Sequence, residues 1–200
     1  MAAMPPAPVV LEGRFLRLEP LSLRHVPDLY LGGGHDDEVW RWLPVVTPRS
    51  EHEMRSLVEQ RLAQQAAGGA VLFAAVPRGT YRAAGWTAYV DVSVSDECLG
   101  IGWSWLARPL WATPVRLETH LMTADHAFRG LGFGRVQWQV DHDDLRTQDA
   151  VLSLGATREG TLRRHVRRPD GTWRDTVLFS LLASEWGRAR EHALASLRLG

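Results

Sequence analysis

The sequence predicts an α/β (α+β) domain in which a mixed central sheet of about seven strands is flanked by helices on both faces. Three observations lead there. Segments whose apolar residues alternate, the period of a strand, are interleaved with segments whose apolar residues step by three and four, the period of a helix. Their order is strand, helices, three strands, helix, strand, helix, two strands, helix. The central strand–helix–strand step calls for a parallel pair and the hairpin-linked strands for antiparallel ones. Two hundred residues, 45% hydrophobic and 23% charged, suffice for one well-buried core and are short for two.

Each element has its own signal. Arg14 to Glu19 carries Phe15, Leu16 and Leu18 and reads as the first strand. Leu21 to Leu31 reads as a short helix interrupted near Pro27 and ended by Gly32, Gly33 and Gly34. Ser50 with Glu53 spells a capping box. The helix it opens has Met54, Leu57, Val58 and Leu62 on one face and stops at Gly68 and Gly69. Ala70 to Val76 is an apolar strand. Trp86, Ala88, Val90, Val92 and Val94 alternate strictly, and so do Leu99, Ile101, Trp103 and Trp105. Leu117, Leu121, Ala124, Phe128 and Leu131 mark the clearest helix, with Thr113 as N-cap and Pro114 as first helical residue. Val136, Trp138 and Val140 form the next strand, and Leu145 to Leu154 a short helix closed by Gly155. Thr161 to Val166 and Trp173 to Leu182 read as a hairpin turning at Pro169-Asp170-Gly171. A last helix contains Trp186, Ala189, Ala193, Leu194 and Leu197.

Composition narrows the function. Lys plus Arg and Asp plus Glu are both 23, so the chain has no long-range attraction for nucleic acid or an anionic membrane. An anionic ligand must be held by local geometry. No apolar run approaches the ~20 residues of a membrane span. The single cysteine, Cys98, forms no internal disulfide and points to a reducing, cytoplasmic setting. It reads as a small strand residue more readily than as a nucleophile, having no Cys–His signature beside it. Residues 1–10, with Pro5, Pro6 and Pro8 and no basic n-region, read as a flexible N-terminal tail, and 11–200 as a single domain.

The motifs need sorting. Arg129-Gly130-Leu131-Gly132-Phe133-Gly134 has the spelling of a phosphate loop but follows a helix and leads into a strand, so it reads as a helix end and turn. Gly100-Ile101-Gly102 lacks a third glycine, and Gly102-Trp103-Ser104 lacks the closing glycine of a nucleophile elbow. His35-Asp36-Asp37 and His142-Asp143-Asp144 have no second ligand set, so no metal site is expected. The anion candidate is the stretch from Ala107 to Arg116, where a strand runs into the N-terminus of the strong helix. Arg116 opposes the helix dipole in the first turn. It is either a solvated arginine or the partner of a bound anion such as a pyrophosphate.

Across Leu11 to Trp186 the sequence resembles the GNAT superfamily of acyltransferases, in the branch similar to RimJ and RimL. Leu11-Glu12-Gly13-Arg14 with Leu16-Arg17-Leu18-Glu19-Pro20-Leu21, and Ile101-Gly102-Trp103-Ser104-Trp105-Leu106 with Trp111-Ala112-Thr113-Pro114 and Glu118, carry the likeness. So do His126-Ala127-Phe128, Leu131-Gly132, Arg135-Val136 and Asp141, then Leu154 to Gly160 and Arg168 to Thr176. The resemblance implies a GNAT fold with a splayed V between two central parallel strands, where acetyl-CoA or another acyl-CoA lies. It implies that backbone groups of Trp105, Leu106 and Ala107 pair with the pantetheine arm. Trp111, Ala112, Thr113, Pro114, Val115 and Arg116 then surround the pyrophosphate, with Asp144 and Thr147 beside the cofactor. Ala112, Pro114 and Arg116 stand where the family usually has glycines, and Gly100 stands where a strand carboxylate is often found. Asp144 and Thr147 replace an asparagine and a serine.

The implied reaction is direct attack of a primary amine, of a small molecule or a protein N-terminus, on the thioester. Thr147 is the candidate acid. Asp144 is a candidate base, and Asp141 reads instead as a cap for the following helix. A protein that binds a ligand or partner on the same scaffold without acyl transfer is the alternative. A homodimer through the C-terminal hairpin or a sheet edge is a further expectation.

Overall fold

The structure is a computed structural model that describes residues 2–199; Met1 of the expected tail and Gly200 of the expected domain lie outside the described residues. Its eight strands are β1 (Leu11–Glu12), β2 (Leu16–Pro20), β3 (Ala70–Pro77), β4 (Gly85–Ser93), β5 (Cys98–Leu106), β6 (Arg135–Asp141), β7 (Thr157–Arg167) and β8 (Trp173–Leu182). The α-helices are α1 (Val26–Gly33), α2 (Asp37–Trp40), α3 (Glu51–Ala66), α4 (Pro114–Asp125), α5 (Leu145–Ser153) and α6 (Ala183–Leu199). The strands form one sheet in the order β1-β2-β3-β4-β5-β6-β8-β7. Every pairing is antiparallel except β5 with β6.

Strand β3 shows how the sheet is covered. All eight of its residues are buried, and alternate side chains enter opposite cores. Val71, Phe73 and Ala75 join the core over which α4, α5 and α6 lie. Ala70, Leu72, Ala74 and Val76 join the core under α1 and α3. An unbroken apolar run with helices on both faces is the expected consequence of burial on both sides.

Two β-bulges alter the expected alternation. Between Val90 and Ser93, β4 holds one residue more than β5 opposite, and Asp91 there has φ 49°. Val92 therefore packs with the α4 side although Val90 belongs to the other core. On β5 the extra residue lies between Gly102 and Trp105, and Trp103 takes φ 51°. Leu99 and Ile101 face α4, whereas Trp103 and Trp105 face α1 and α2. The run Leu99, Ile101, Trp103, Trp105 is thus not one face but two, because one inserted residue exchanges the faces of everything beyond it.

The ends of the helices follow the sequence with small corrections. Pro27 does not interrupt a helix; it lies in the first turn of α1, which follows a short 3₁₀ turn at Leu23–His25. Ser50 Oγ accepts the Glu53 N–H at 3.1 Å, but the Glu53 carboxylate reaches the Arg49 N–H, so only half of the expected box forms. Helix α4 continues through a π turn at His126–Gly130 into a glycine turn, which places Arg129 to Gly134 at a helix end as read.

Glu118 of α4 ties the N-terminal strands down. Its buried carboxylate accepts the backbone N–H groups of Arg14 (2.7 Å), Phe15 (2.7 Å) and Leu16 (3.0 Å). Gly13 permits this approach: a Cβ there would lie 2.5 Å from Met122 Sδ and 2.7 Å from Glu118. Among the described residues ahead of β1 there is no helix or strand, and the Met4 N–H donates to Leu131 O at 2.8 Å.

Candidate active site

Strands β5 and β6 pair only at Cys98–Arg135, Leu99–Val136 and Gly100–Gln137. Beyond those residues they diverge. The gap is a cleft of about 290 Å³. Its walls include Ile101 to Leu106 of β5, Gln137 to Asp141 of β6, and Arg116, Thr119 and His120 of α4. Glu38, Val39, Trp42 and Leu43, around α2, form its opposite rim.

The bulge at Trp103 helps hold the cleft open, because a strand that twists away cannot continue a parallel ladder. At Gly100, the last paired position, a side chain would press on β4. A Cβ would meet Val90 Cγ2 at 3.0 Å and Val90 O at 3.2 Å. Close packing against Val90 of β4 favours glycine at this position of the cleft wall.

Of the residues expected to hold the cofactor, Trp105, Leu106, Trp111, Arg116, Asp144 and Thr147 line the cleft, and Ala107, Ala112, Thr113, Pro114 and Val115 do not. Trp105 pairs with Trp86 of β4. The Ala107 N–H donates to Ala84 O at 2.7 Å and its carbonyl accepts the Leu110 N–H. By the alternation of an antiparallel ladder, Leu106 between them turns its backbone toward the gap. Its carbonyl accepts Trp111 Nε1–H at 2.7 Å. Of these three residues expected along a pantetheine arm, Trp105 and Ala107 turn their backbone to β4, and Leu106 turns its backbone to the gap.

Thr113 occupies the N-cap position of α4, but its Oγ1 donates to Leu110 O at 2.8 Å instead of capping the helix. Pro114 supplies no N–H. Val115 buries its side chain in the core, leaving its backbone at the helix start. The positive end of α4 thus has no side-chain cap, its Arg116 N–H reaching only Thr113 O at 3.4 Å, and is a favourable place for an anion. Arg116 stands there and donates to Arg146 O at 3.1 Å. The Arg146 guanidinium lies 3.6 Å from the centre of the Trp111 ring. Burial, and then the Arg146 charge, lower the Arg116 pKa from its usual value. Two neighbouring cations at a helix N-terminus repel each other until an anion joins them.

Asp144 is the N-cap of α5, its Oδ1 accepting the Thr147 N–H at 3.1 Å. Capping thus falls to Asp144 and not to Asp141. The fully buried Asp141 carboxylate takes Arg168 Nη2 at 2.8 and 2.9 Å and the Asp143 N–H at 3.0 Å. This pair ties the β7–β8 hairpin to the end of β6. Thr147, one turn into α5, lines the cleft.

Sequence reasoning missed His120 and Trp138. Both are buried against the cleft, and His120 Nδ1 and Trp138 Nε1 have no hydrogen-bond partner. Burial, and then the charge of Arg116, push the His120 pKa down to about 4. The four-residue step from Arg116 to His120 on one helix was the available signal. Among the described residues no group of three His, Cys, Asp or Glu is placed to hold a metal ion, and no helix is long and apolar enough to cross a membrane.

The sequence profile of the acetyltransferase (GNAT) domain matches residues 16–157 of this chain. The chain belongs to the GNAT acetyltransferase family. Its eight-stranded mixed sheet, split between β5 and β6, is the GNAT fold. A T. thermophilus protein assigned as an acetyltransferase is 36% identical, covering 97% of this chain and 100% of that one, with a TM-score of 0.86. A GCN5-related N-acetyltransferase from Brucella melitensis superposes with a TM-score of 0.91 at 24% identity, over 98% of this chain and 88% of the other. Mycobacterium smegmatis RimJ in complex with CoA-disulfide shares the fold at 19% identity, over 94% of this chain and 95% of that one, with a TM-score of 0.81. No curated protein matches the sequence.

Proposed function

We propose that the chain is an acyl-CoA-dependent N-acyltransferase of the RimJ/RimL-like branch, acting on a primary amine of a small molecule or a protein N-terminus. The observation that carries this is the cleft between β5 and β6 with the N-terminus of α4, which has no side-chain cap, and Arg116 and Arg146 along it. A pyrophosphate fits that charge, and an extended arm fits a gap edged by unpaired strand backbone. Acyl-CoA supplies an activated thioester carbonyl.

This chain's residues do the rest. Arg116, Arg146 and the first N–H groups of α4 hold phosphate oxygens by charge-assisted hydrogen bonds. Leu106 turns its backbone to the arm. An acceptor amine, ~10 in free pKa, sheds its extra proton to water or to Asp144 before attack. The neutral amine then forms the C–N bond as the C–S bond breaks, and the proton it loses ends on the released thiol. The Thr147 hydroxyl is placed on the cleft wall to pass that proton on.

Calorimetric titration with free CoA and acetyl-CoA tests the reading. Micromolar binding, lost in Arg116→Glu, is the expected result; a wild-type chain that binds neither overturns it. A binding protein without transfer is the second reading. It is favoured by the Asp144 carboxylate being engaged at the α5 cap and the Leu106 carbonyl by Trp111. CoA binding with no transfer to any amine in a broad panel is its signature. A cytoplasmic setting and a homodimer complete the proposal, the latter tested by mass measurement in solution.

A further inference from the structure

The narrow end of the cleft contains a feature the proposed reaction does not use. Where β5 and β6 part, α4 presents His120 and β6 presents Trp138, with ring centres 6.5 Å apart and planes at 69°. His120 is 6% exposed and Trp138 2%. His120 Nδ1 and Trp138 Nε1 are buried without partners. Buried polar atoms are almost always paired, yet Trp86, Trp105 and Arg174 of the same cleft wall also carry unpartnered nitrogens; His120 and Trp138 stand out because their rings meet edge to face where the strands part. A ligand between them would pair both, since both residues belong to the wall of the same cleft.

The chemistry of the pair limits that ligand. An indole N–H only donates, and a neutral imidazole has one N–H to give and one lone pair. Arg116 is on the same face of α4, one turn toward its N-terminus, and its field reaches His120. An indole N–H and an imidazole N–H facing one cavity suit a group rich in acceptor oxygens, and a carboxylate can accept from both. If the pyrophosphate lies at the N-terminus of α4, the acyl end of the same molecule reaches toward this narrow end. An acetyl methyl there would leave both orphans unpaired.

We infer that His120 and Trp138 form an acyl-recognition pocket and that the preferred donor is an acyl-CoA whose acyl group ends in a carboxylate. The inference rests on the reading of the cleft as a CoA site. The transfer itself is unchanged: the amine nitrogen bonds to the thioester carbon, the C–S bond breaks, and the amine's proton leaves on the thiol. The carboxylate stays at the far end of the acyl group and takes no part in the bond changes.

Calorimetry with free CoA, acetyl-CoA, propionyl-CoA and succinyl-CoA on the full chain tests it. The expected result is that succinyl-CoA binds at least about tenfold more tightly than acetyl-CoA or propionyl-CoA. Trp138→Phe and His120→Leu are each expected to erase that preference while free CoA affinity stays within about twofold. Should either variant fail to fold, the wild-type ranking of the four ligands still decides. Free CoA binding with acetyl-CoA equal to or better than succinyl-CoA overturns this inference alone. Failure of all four to bind overturns the reading of the cleft and this inference with it.

Discussion

Strand β6 has two edges made of the same seven residues, and they behave differently. Toward β8 all seven pair, from Arg135–Leu182 to Asp141–Thr176. Toward β5 only Arg135, Val136 and Gln137 pair. On the closed side the ladder is reinforced by an ion pair across β8: Arg135 holds Glu159 of β7 at 2.8 and 2.6 Å, and Ser180 Oγ donates to the same carboxylate. Arg135, and then Ser180, hold the Glu159 pKa down to about 2. On the open side the bulge at Trp103 turns β5 away, and the backbone of β6 from Trp138 onward faces a cavity. One strand thus serves as a structural seam on one edge and as the wall of a cavity on the other. The difference comes from the neighbours' register, not from β6 itself.

That division of labour can be broken from either side. The largest effect is expected on the closed edge. Phe179→Ala on β8 removes a fully buried ring opposite Trp138 and is expected to lower the unfolding free energy by about 3–5 kcal/mol, read by urea denaturation. Little change in CoA affinity of the folded chain would separate the two edges; a large change would join them.

The second effect belongs to His120. The unfolded chain protonates this imidazole below its ordinary pKa of 6.5, whereas the folded chain resists until about 4. Between those values the unfolded form binds more protons. Stability is therefore present above pH 6.5 and is lost as pH falls toward 4, by about 3 kcal/mol. Urea midpoints of wild type and His120→Leu across that range give the measurement, and the variant is expected to show the flatter dependence.

Next comes Arg116→Glu on the open edge, expected to weaken CoA binding by about 100-fold while the urea midpoint barely moves. Thr147→Val is expected to reduce kcat by about tenfold with the KM for the acyl donor nearly unchanged; equal turnover would remove Thr147 from the mechanism. The smallest effect is Asp144→Ala. Losing the α5 cap is expected to cost about 1 kcal/mol, and a fall in kcat beyond that of Asp144→Asn would assign the carboxylate a role in proton transfer as well.

Much of this was legible in the sequence. Hydrophobic period located every major helix and the larger strands, and Thr113-Pro114 marked the start of α4. Glycines marked the ends of α3 and α5. The bulges at Asp91 and Trp103 were not legible, because neither residue is a glycine and each takes a positive φ only where its partner strand forces it. Alternation therefore read through them, and Trp103 and Trp105 were put on the face of Leu99. Long-range contacts decided the rest. That Asp144 caps a helix is local, but that Asp141 is occupied depends on Arg168 arriving from a hairpin 27 residues away. The roles of His120 and Trp138 depend on what lies between two strands that fail to meet, which no periodicity records.

The carboxylate of Glu118 offers a way to watch this site from a distance. It holds the amides of Arg14, Phe15 and Leu16, and it sits on α4 between Arg116 and His120. Those three amide hydrogens can exchange with deuterated solvent only when the clamp opens, so their exchange rates are a clock for the rigidity of α4. A ligand that settles against the N-terminus of α4 should slow that clock without touching the N-terminal strands at all.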